Sequence, residues 1–256
     1  MSKPFHTALR RVNRANRKIE QFERESSYFA TNQAMFMGIE PHTLDGRVGV
    51  AYKIKQIEGA PDELSDYVDT TIDGLRAALD SACYDSGEAL GKPTPKYANF
   101  PFADSARELE NTIKGRCKDI HPEIVDLLRS FAPYEAGNKV LWAFNKARQV
   151  NQHKSLVDFV ISIGNVTLDK IKVVNSGRGF ALVCKWYPVE REFIVAHWME
   201  GAEIEIGTIN AEVYPAFINA GALDGQPVIG GLKEIASIVE GIVIAIKGQT
   251  ERLLRG

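Results

Sequence analysis

The chain has 256 residues, with 31 lysines and arginines against 33 aspartates and glutamates, and its formal net charge is -2. This length can bury a sizeable core. The near-neutral balance argues against a protein-wide electrostatic footprint for nucleic acid, although a local basic patch is compatible with it. Its three cysteines are far apart and form no CxxC pair. This argues against a disulfide framework or zinc ribbon and favours a reducing compartment.

Neither export nor membrane insertion is expected. The N-terminal segment MSKPFHTALRRVNRANRK is too charged for a secretory signal. The most apolar run, Ile235 to Ile246, is interrupted by polar residues and is too short to span a bilayer. The histidines are scattered, and no phosphate-binding or dinucleotide-binding glycine motif is present. We therefore expect a soluble cytoplasmic protein without a metal or cofactor.

The first predicted element is an amphipathic helix from Pro4 to about Phe29, because its apolar residues recur every three or four positions. Its first half is basic and contains no acid. Arg10, Arg14 and Arg17 are the candidate phosphate contacts of this half, and they would provide salt-sensitive affinity without sequence recognition. The alternative is a solvated helix face.

A β-hairpin follows, with strands from Gln33 to Ile39 and from Arg47 to Ile57 joined by the turn-forming residues 41–46. The second strand alternates between apolar and charged residues. We expect Val48 and Ile54 on its buried face and Lys53 on the opposite face.

The second helix is predicted to begin at Pro61-Asp62-Glu63 and to end near Gly87. One side of it carries a line of charged residues at spacings of three or four. These residues are Asp69, Asp73, Arg76 and Asp80. A solvated, self-paired face is one interpretation. The other is that Arg76 and Asp80 point into a cleft and orient a catalytic partner.

Shorter helices and then strands fill the rest of the chain. Two helices are predicted at Asp104 to Cys117 and Pro122 to Phe131, and a third begins near Gly137 with Asn138 as its N-cap. After His153 the apolar pattern changes from a helical to a strand period. The predicted strands are Leu156–Ile163, Val166–Val174, Phe180–Tyr187, Arg191–Trp198 and Glu203–Ile218, and a last helix covers Gly231–Leu254.

This order predicts an α+β fold, in which a helical layer packs with an antiparallel sheet or sandwich. The helical layer comprises the long N-terminal helix, the central helices and the C-terminal helix. Residues 1–154 are expected to form a mainly helical half with an inserted hairpin at about 33–57. Residues 155–256 are expected to form an antiparallel β half closed by the C-terminal helix. We expect the two halves to form one compact unit.

The candidate catalytic residues lie at the polar end of the helix that begins near Gly137. Arg148 and His153 are separated by four residues, which resembles the Arg-X(4–6)-His motif of HEPN-type ribonucleases. Those proteins pair across a dimer to build a metal-independent RNA-cleaving site. The resemblance implies that His153 takes the proton of a ribose 2′-hydroxyl, that Arg148 stabilises the phosphate and that Asn151 orients them. The supporting residues would be Arg76, Asp80 and Lys154.

A spacing of this kind is not diagnostic by itself. It also occurs at Arg116–His121 and Arg191–His197. Only the Arg148 match lies at the polar end of a long helix. The alternative is that Arg148, His153 and Lys154 satisfy the carbonyls and the dipole at a helix C-terminus.

Beyond this motif, the whole chain resembles a widespread family of bacterial proteins of unknown function. The matching segments are Leu75–Asp80 with Tyr84, Phe100–Phe102, Pro133–Tyr134, Leu141–Trp142, Val150–Lys154, Gly201–Ile204 and Gly225–Val228. The chain departs from the family pattern at Asp73 and Ser81, where histidines are expected, and at Asn151-Gln152, where an acid and a lysine are more usual. The resemblance implies the same architecture and adds no established activity.

Two functions follow from these patterns. The first is a HEPN-like, metal-independent endoribonuclease that acts on RNA as a homodimer. The second is a non-catalytic dimeric binding or interaction module, in which the same polar residues cap the helix and hold it to the sheet. A small-molecule enzyme ranks third, because no nucleophile–base pair is visible.

Overall fold

The computed structural model describes residues 4–32, 35–56, 59, 61–153, 158–187, 190 and 192–256, with the backbone alone for residues 31, 150–153 and 158. Helices and antiparallel strands occur in separate runs along it, so the predicted α+β class is confirmed. The helices are α1 (His6–Asn32), α2 (Asp62–Ala89), α3 (Ala106–Arg116), α4 (Pro122–Ser130), α5 (Lys139–His153) and α6 (Val228–Leu253). The strands are β1 (Met35–Leu44), β2 (Arg47–Gln56), β3 (Asp158–Leu168), β4 (Ile171–Asn175), β5 (Phe180–Tyr187), β6 (Glu192–Trp198), β7 (Glu203–Ile206) and β8 (Ile209–Ile218).

The helix predictions agree closely with these bounds. Asn138 caps α5 as expected, because its side-chain oxygen accepts a hydrogen bond of 3.1 Å from the Leu141 amide. The described part of the chain contains no helix that is both long enough and apolar enough to cross a membrane.

Two predicted turns were wrong. The hairpin turn consists of Asp45 and Gly46 alone, with φ of 48° and 77°, as a two-residue hairpin loop requires. Pro41 therefore lies inside β1, where it is tolerated because β1 is an edge strand. The break predicted between the strands Leu156–Ile163 and Val166–Val174 lies inside β3, and the strand predicted from Glu203 to Ile218 is divided into β7 and β8.

The chain forms two compact units. The first contains Met1–Arg24, Asp62–Phe159 and Ala216–Gly256. Its core includes the apolar faces of the helices, and the rings of Phe22 and Phe159 meet edge to face at 5.1 Å. The buried stripe predicted for α2 is confirmed, since Leu64, Ile72 and Leu79 are among its fully or nearly fully buried residues.

The second unit contains Glu25–Pro61 and Val160–Pro215. Its largest sheet is antiparallel with the order β1-β2-β6-β5, and β4 pairs with β7. The expected faces of β2 were partly wrong: Val48 is 77% exposed, whereas Lys53 is buried. A bulge between Tyr52 and Lys53 shifts the register with β6. Glu192 of β6 compensates the charge of Lys53 at 3.1 Å.

Candidate functional site

Helices α1 and α2 run antiparallel to each other. The backbone amide of Phe5, which immediately precedes α1, donates to Asp85 at 2.8 Å, near the end of α2. The Lys18 ammonium, further along α1, donates to the Thr70 hydroxyl in the first half of α2. Residue numbers therefore rise along α1 as they fall along α2.

A basic groove of about 860 Å³ lies where α1, α2 and α5 meet. All three helices contribute to it within the first compact unit. Its lining consists of Thr7, Arg10, Arg11, Arg14, Ala15, Arg17 and Lys18 from α1, Thr70, Asp73, Gly74 and Ala77 from α2, and Arg148 from α5. This lining brings the predicted phosphate contacts of α1 together with the predicted phosphate-stabilising residue of α5.

Helical periodicity explains why these arginines share one face. Arg10, Arg14 and Arg17 follow the spacing i, i+4, i+7, which aligns side chains along a helix. The opposite face of α1 carries Val12 and Ile19, which are 1% and 2% exposed. Burial of that apolar face therefore turns the basic face towards the groove.

The positive charge of the groove lining exceeds its negative charge. Among the described residues, six lysine and arginine side chains line it, and Asp73 is the one carboxylate. Asp73 pairs with Arg148, whose Nε lies 3.3 Å from Oδ1. The pKa of Lys18 is lowered, mainly by partial burial and to a smaller extent by the neighbouring charge of Arg14.

The remaining arginines of the groove have no ion-pair partner among the described residues. They are Arg10, Arg11, Arg14 and Arg17, and all four are exposed. Because no described carboxylate neutralises them, these guanidinium groups are free to bind an anion.

Small side chains on α2 keep the groove open. Gly74 stands near the middle of α2, and a Cβ built on it meets nothing within 4 Å. Ala77 follows one turn later on the same face. Glycine inside a helix is unfavourable relative to alanine by roughly 0.5–1 kcal/mol. Here it leaves space beside the arginines.

The charged line predicted on α2 is only partly solvated, since Asp73 is exposed and Asp80 is half-buried. Asp69 and Arg76 are buried at 6% and 5% exposure. Arg76 donates to Asp80 at 2.8 Å and to the Phe100 carbonyl at 3.2 Å, and its guanidinium lies 4.7 Å from the centroid of the Phe102 ring. These partners compensate the buried charge.

The Arg76–Asp80 pair thus fastens the loop that contains Phe100. Asp80 accepts from the Phe100 amide at 3.0 Å as well as from Arg76. Burial is the main cause that lowers the pKa of Arg76, and Arg148 acts in the same direction. A role of this pair in supporting catalysis stays a prediction.

The other predicted site residues lie outside the described part of the chain in whole or in part. The backbone of Asn151 and His153 belongs to the end of α5, but their side chains are outside the described residues. Lys154 is outside them entirely. A site formed by His153 together with Arg148 therefore stays a prediction.

Several groove residues carried no prediction of a site role. Arg11 and Lys18 are not among them, because they belong to the basic first half of α1 that was interpreted as a phosphate-contacting strip. Thr70 and Gly74 gave no signal, because small and hydroxyl residues are common on helix faces. In the described residues, no group of three or more histidine, cysteine, aspartate or glutamate side chains is placed to hold a metal ion.

Comparison of the chain with protein-family models, with curated proteins and with solved structures found no match of any of the three kinds.

Proposed function

We propose that the protein binds RNA by its phosphate backbone in the basic groove. The observation that carries this proposal is the set of four exposed arginines on α1 without ion-pair partners among the described residues. Guanidinium groups match phosphate oxygens in geometry and charge. Release of counterions from the strand drives such binding even when the whole protein is close to neutral.

The length of the basic face favours a strand over a single phosphate ion. From Thr7 to Lys18 the axis of α1 extends about 16 Å, at 1.5 Å per residue. At 3.4 Å per stacked nucleotide, this accommodates roughly five nucleotides. A small anion would engage only one or two of the arginines and leave the rest unneutralised.

Contacts of this type provide affinity and little sequence selectivity. For a non-specific phosphate contact surface, a Kd of about 1–100 μM is expected at physiological salt. The affinity should be similar for strands of different sequence unless a second site reads the bases.

The test is fluorescence anisotropy with a labelled 12-nucleotide RNA. The test variant carries Arg10→Gln, Arg14→Gln and Arg17→Gln. A control variant with the same change in net charge carries Arg24→Gln, Arg47→Gln and Arg107→Gln, at exposed positions outside the groove lining. We expect at least a tenfold loss of affinity in the first variant and less than a twofold change in the control. Equal losses of affinity in the two variants would show that the groove is not the RNA-binding site.

Cleavage of the bound strand is a second candidate function. The observation that favours it is the position of Arg148 in the same groove as the α1 arginines. In this reaction the 2′-oxygen attacks phosphorus, the bond to the 5′-oxygen breaks, and a 2′,3′-cyclic phosphate and a 5′-hydroxyl result. His153 would accept the 2′ proton, the departing 5′-oxygen would take a proton from water, and Arg148 would stabilise the charge on the phosphoryl oxygens.

Binding and cleavage are separated by incubating the protein with RNA in the presence of a chelator. The ribonuclease hypothesis predicts 2′,3′-cyclic ends, which disappear in His153→Ala and in Arg148→Ala. Intact RNA that still binds the wild-type protein would reject cleavage and retain binding. If the RNA neither binds nor is cleaved, the non-catalytic interaction module is the remaining function. Its predicted homodimer is tested by sedimentation velocity.

A further inference from the structure

A second cavity, of about 410 Å³, adjoins the basic groove on α2. Thr7 lines both spaces, which joins them at one end of α1. The face of α2 that carries Gly74 and Ala77 in the groove continues at helical spacing to Ser81 and Tyr84 in the cavity. A strand lying along the groove therefore reaches the cavity without leaving this face.

The chemistry of the cavity differs from that of the groove. Its lining includes one aromatic ring, that of Tyr84, together with the apolar Pro95 and Ala98. The polar groups of its wall include Asp85 and Asn99. An aromatic ring beside hydrogen-bonding groups suits a nucleobase. The charged residues described in the lining are Asp80, Asp85 and Lys96, so the cavity lacks the excess of positive charge that the groove offers to phosphate.

The loop that forms the outer wall is held by hydrogen bonds and is therefore ordered before a ligand arrives. The amides of Lys96 and Tyr97 both donate to Asp119 at 2.9 Å. The Asn99 amide donates to the Arg116 carbonyl at 3.1 Å. Groups positioned in this way lose little freedom on binding.

Polar groups of the cavity have hydrogen-bonding capacity left over. Among the described residues, the Tyr84 hydroxyl and the side-chain amide of Asn99 have no hydrogen-bond partner. Asp85 uses Oδ2 to accept from the Phe5 amide at 2.8 Å. A carboxylate has acceptor capacity for several donors, so Asp85 can still accept from a ligand.

We propose that this cavity binds an unpaired base that carries an exocyclic amine, with Tyr84 stacking on its face and Asp85 accepting from the amine. The inference rests on RNA binding in the basic groove, whose arginines hold the backbone while the cavity takes one base. Cytosine offers a donor at the position where uracil offers an acceptor, so the carboxylate distinguishes the two. The groove then supplies affinity and the cavity supplies selectivity.

The experiment compares two labelled probes, a 12-nucleotide oligocytidine and a 12-nucleotide oligouridine, by fluorescence anisotropy. The wild-type protein should bind oligocytidine about tenfold more tightly. Asp85→Asn should abolish or reverse this preference, because the new amide presents a donor to the amine while its oxygen can still accept from Phe5. Tyr84→Ala should weaken both probes by about tenfold, and Tyr84→Phe should keep the stacking and the affinity.

The outcomes separate this inference from the proposed function. Equal binding of the two probes by the wild-type protein would overturn the base pocket, and so would a preference that survives both Asp85→Asn and Tyr84→Ala. In either case the loss caused by the α1 arginine variant would still support backbone binding in the groove. If neither probe binds the wild-type protein at all, both proposals are wrong. Thermal melts of each variant establish that it is folded.

Discussion

Arg148 of α5 and Asp73 of α2 face each other in the basic groove, with Nε 3.3 Å from Oδ1. The two side chains are 27% and 54% exposed, so water screens much of their attraction. The pair joins two helices through residues that are 75 positions apart in the chain. Asp73 thereby offsets one of the positive charges that would otherwise face a bound phosphate.

Replacement of this acid should strengthen RNA binding. In Asp73→Asn, Arg148 is released and the repulsion between the carboxylate and phosphate disappears, so the affinity should rise about two- to fivefold. The free energy of unfolding should change by less than about 1 kcal/mol, because exposed pairs contribute little. Anisotropy titrations beside Glu135→Gln, an equal charge change outside the groove lining, measure the effect. Weaker binding in Asp73→Asn would show that the pair positions Arg148 for its ligand.

Gly74 provides a matched pair of variants for the groove itself. Gly74→Ala should raise the free energy of unfolding by about 0.5–1 kcal/mol, because alanine favours the helix interior and nothing lies within 4 Å of the new Cβ. RNA binding should be nearly unchanged. Gly74→Leu is also tolerated in a helix, but its side chain enters the groove and should weaken binding at least tenfold. Equal affinities in the two variants would place the ligand elsewhere.

The pattern of α1 shows how much of the site could be predicted. The spacing of Arg10, Arg14 and Arg17 is local, so the sequence alone places them on one face opposite the apolar stripe. Their meeting with Arg148 and Asp73 depends on how α1, α2 and α5 pack, and no local pattern records it. The order of the helices was predictable because each has its own periodicity and terminal residues.

The sheet shows where prediction from sequence stops. Lys53 is one of the charged residues of an alternating strand, and a lysine is ordinarily expected to face water. It is buried because Glu192 lies on the neighbouring strand, although the two are 139 positions apart in the chain. Long-range strand pairing and the bulge at Lys53 decide this, and neither leaves a signal in the strand itself.

Loss of one partner of the buried Lys53–Glu192 pair should lower the free energy of unfolding of the second unit. Lys53→Met leaves the Glu192 carboxylate buried without its partner and should cost about 3–5 kcal/mol of unfolding free energy. The double variant Lys53→Met, Glu192→Met removes both charges and should recover most of this loss. Urea denaturation of the two variants gives the comparison. A single variant that loses less than about 1 kcal/mol would contradict the burial of the pair.

Asp85 makes a prediction about pH. The pKa of this carboxyl is raised above the ordinary value of 3.8. Burial is the largest cause of the shift, and the charge of Glu88 acts in the same direction. The folded state therefore keeps the proton to a higher pH than the unfolded chain does. The contribution of Asp85 to stability consequently falls as the pH rises from 3.8 through the folded pKa, and it is lowest above that pKa.

Asp85→Asn lacks this penalty and retains an oxygen that accepts from the Phe5 amide. At pH 7 it should be at least as stable as the wild-type protein, and its advantage should shrink as the pH falls to about 4. Chemical denaturation at the two pH values measures the difference. A variant that is clearly less stable at pH 7 would mean that the ionised carboxylate stabilises the fold.

The most direct test of backbone binding in the groove is the salt dependence of RNA affinity. Each phosphate contact on a single strand contributes about 0.7 to the slope of log K against log salt. The variant Arg10→Gln, Arg14→Gln, Arg17→Gln should therefore lose about 2 from the wild-type slope, whereas Arg24→Gln, Arg47→Gln, Arg107→Gln should keep it. An unchanged slope in the groove variant, or the same loss in the control, would contradict the assignment of the groove as the RNA-binding site.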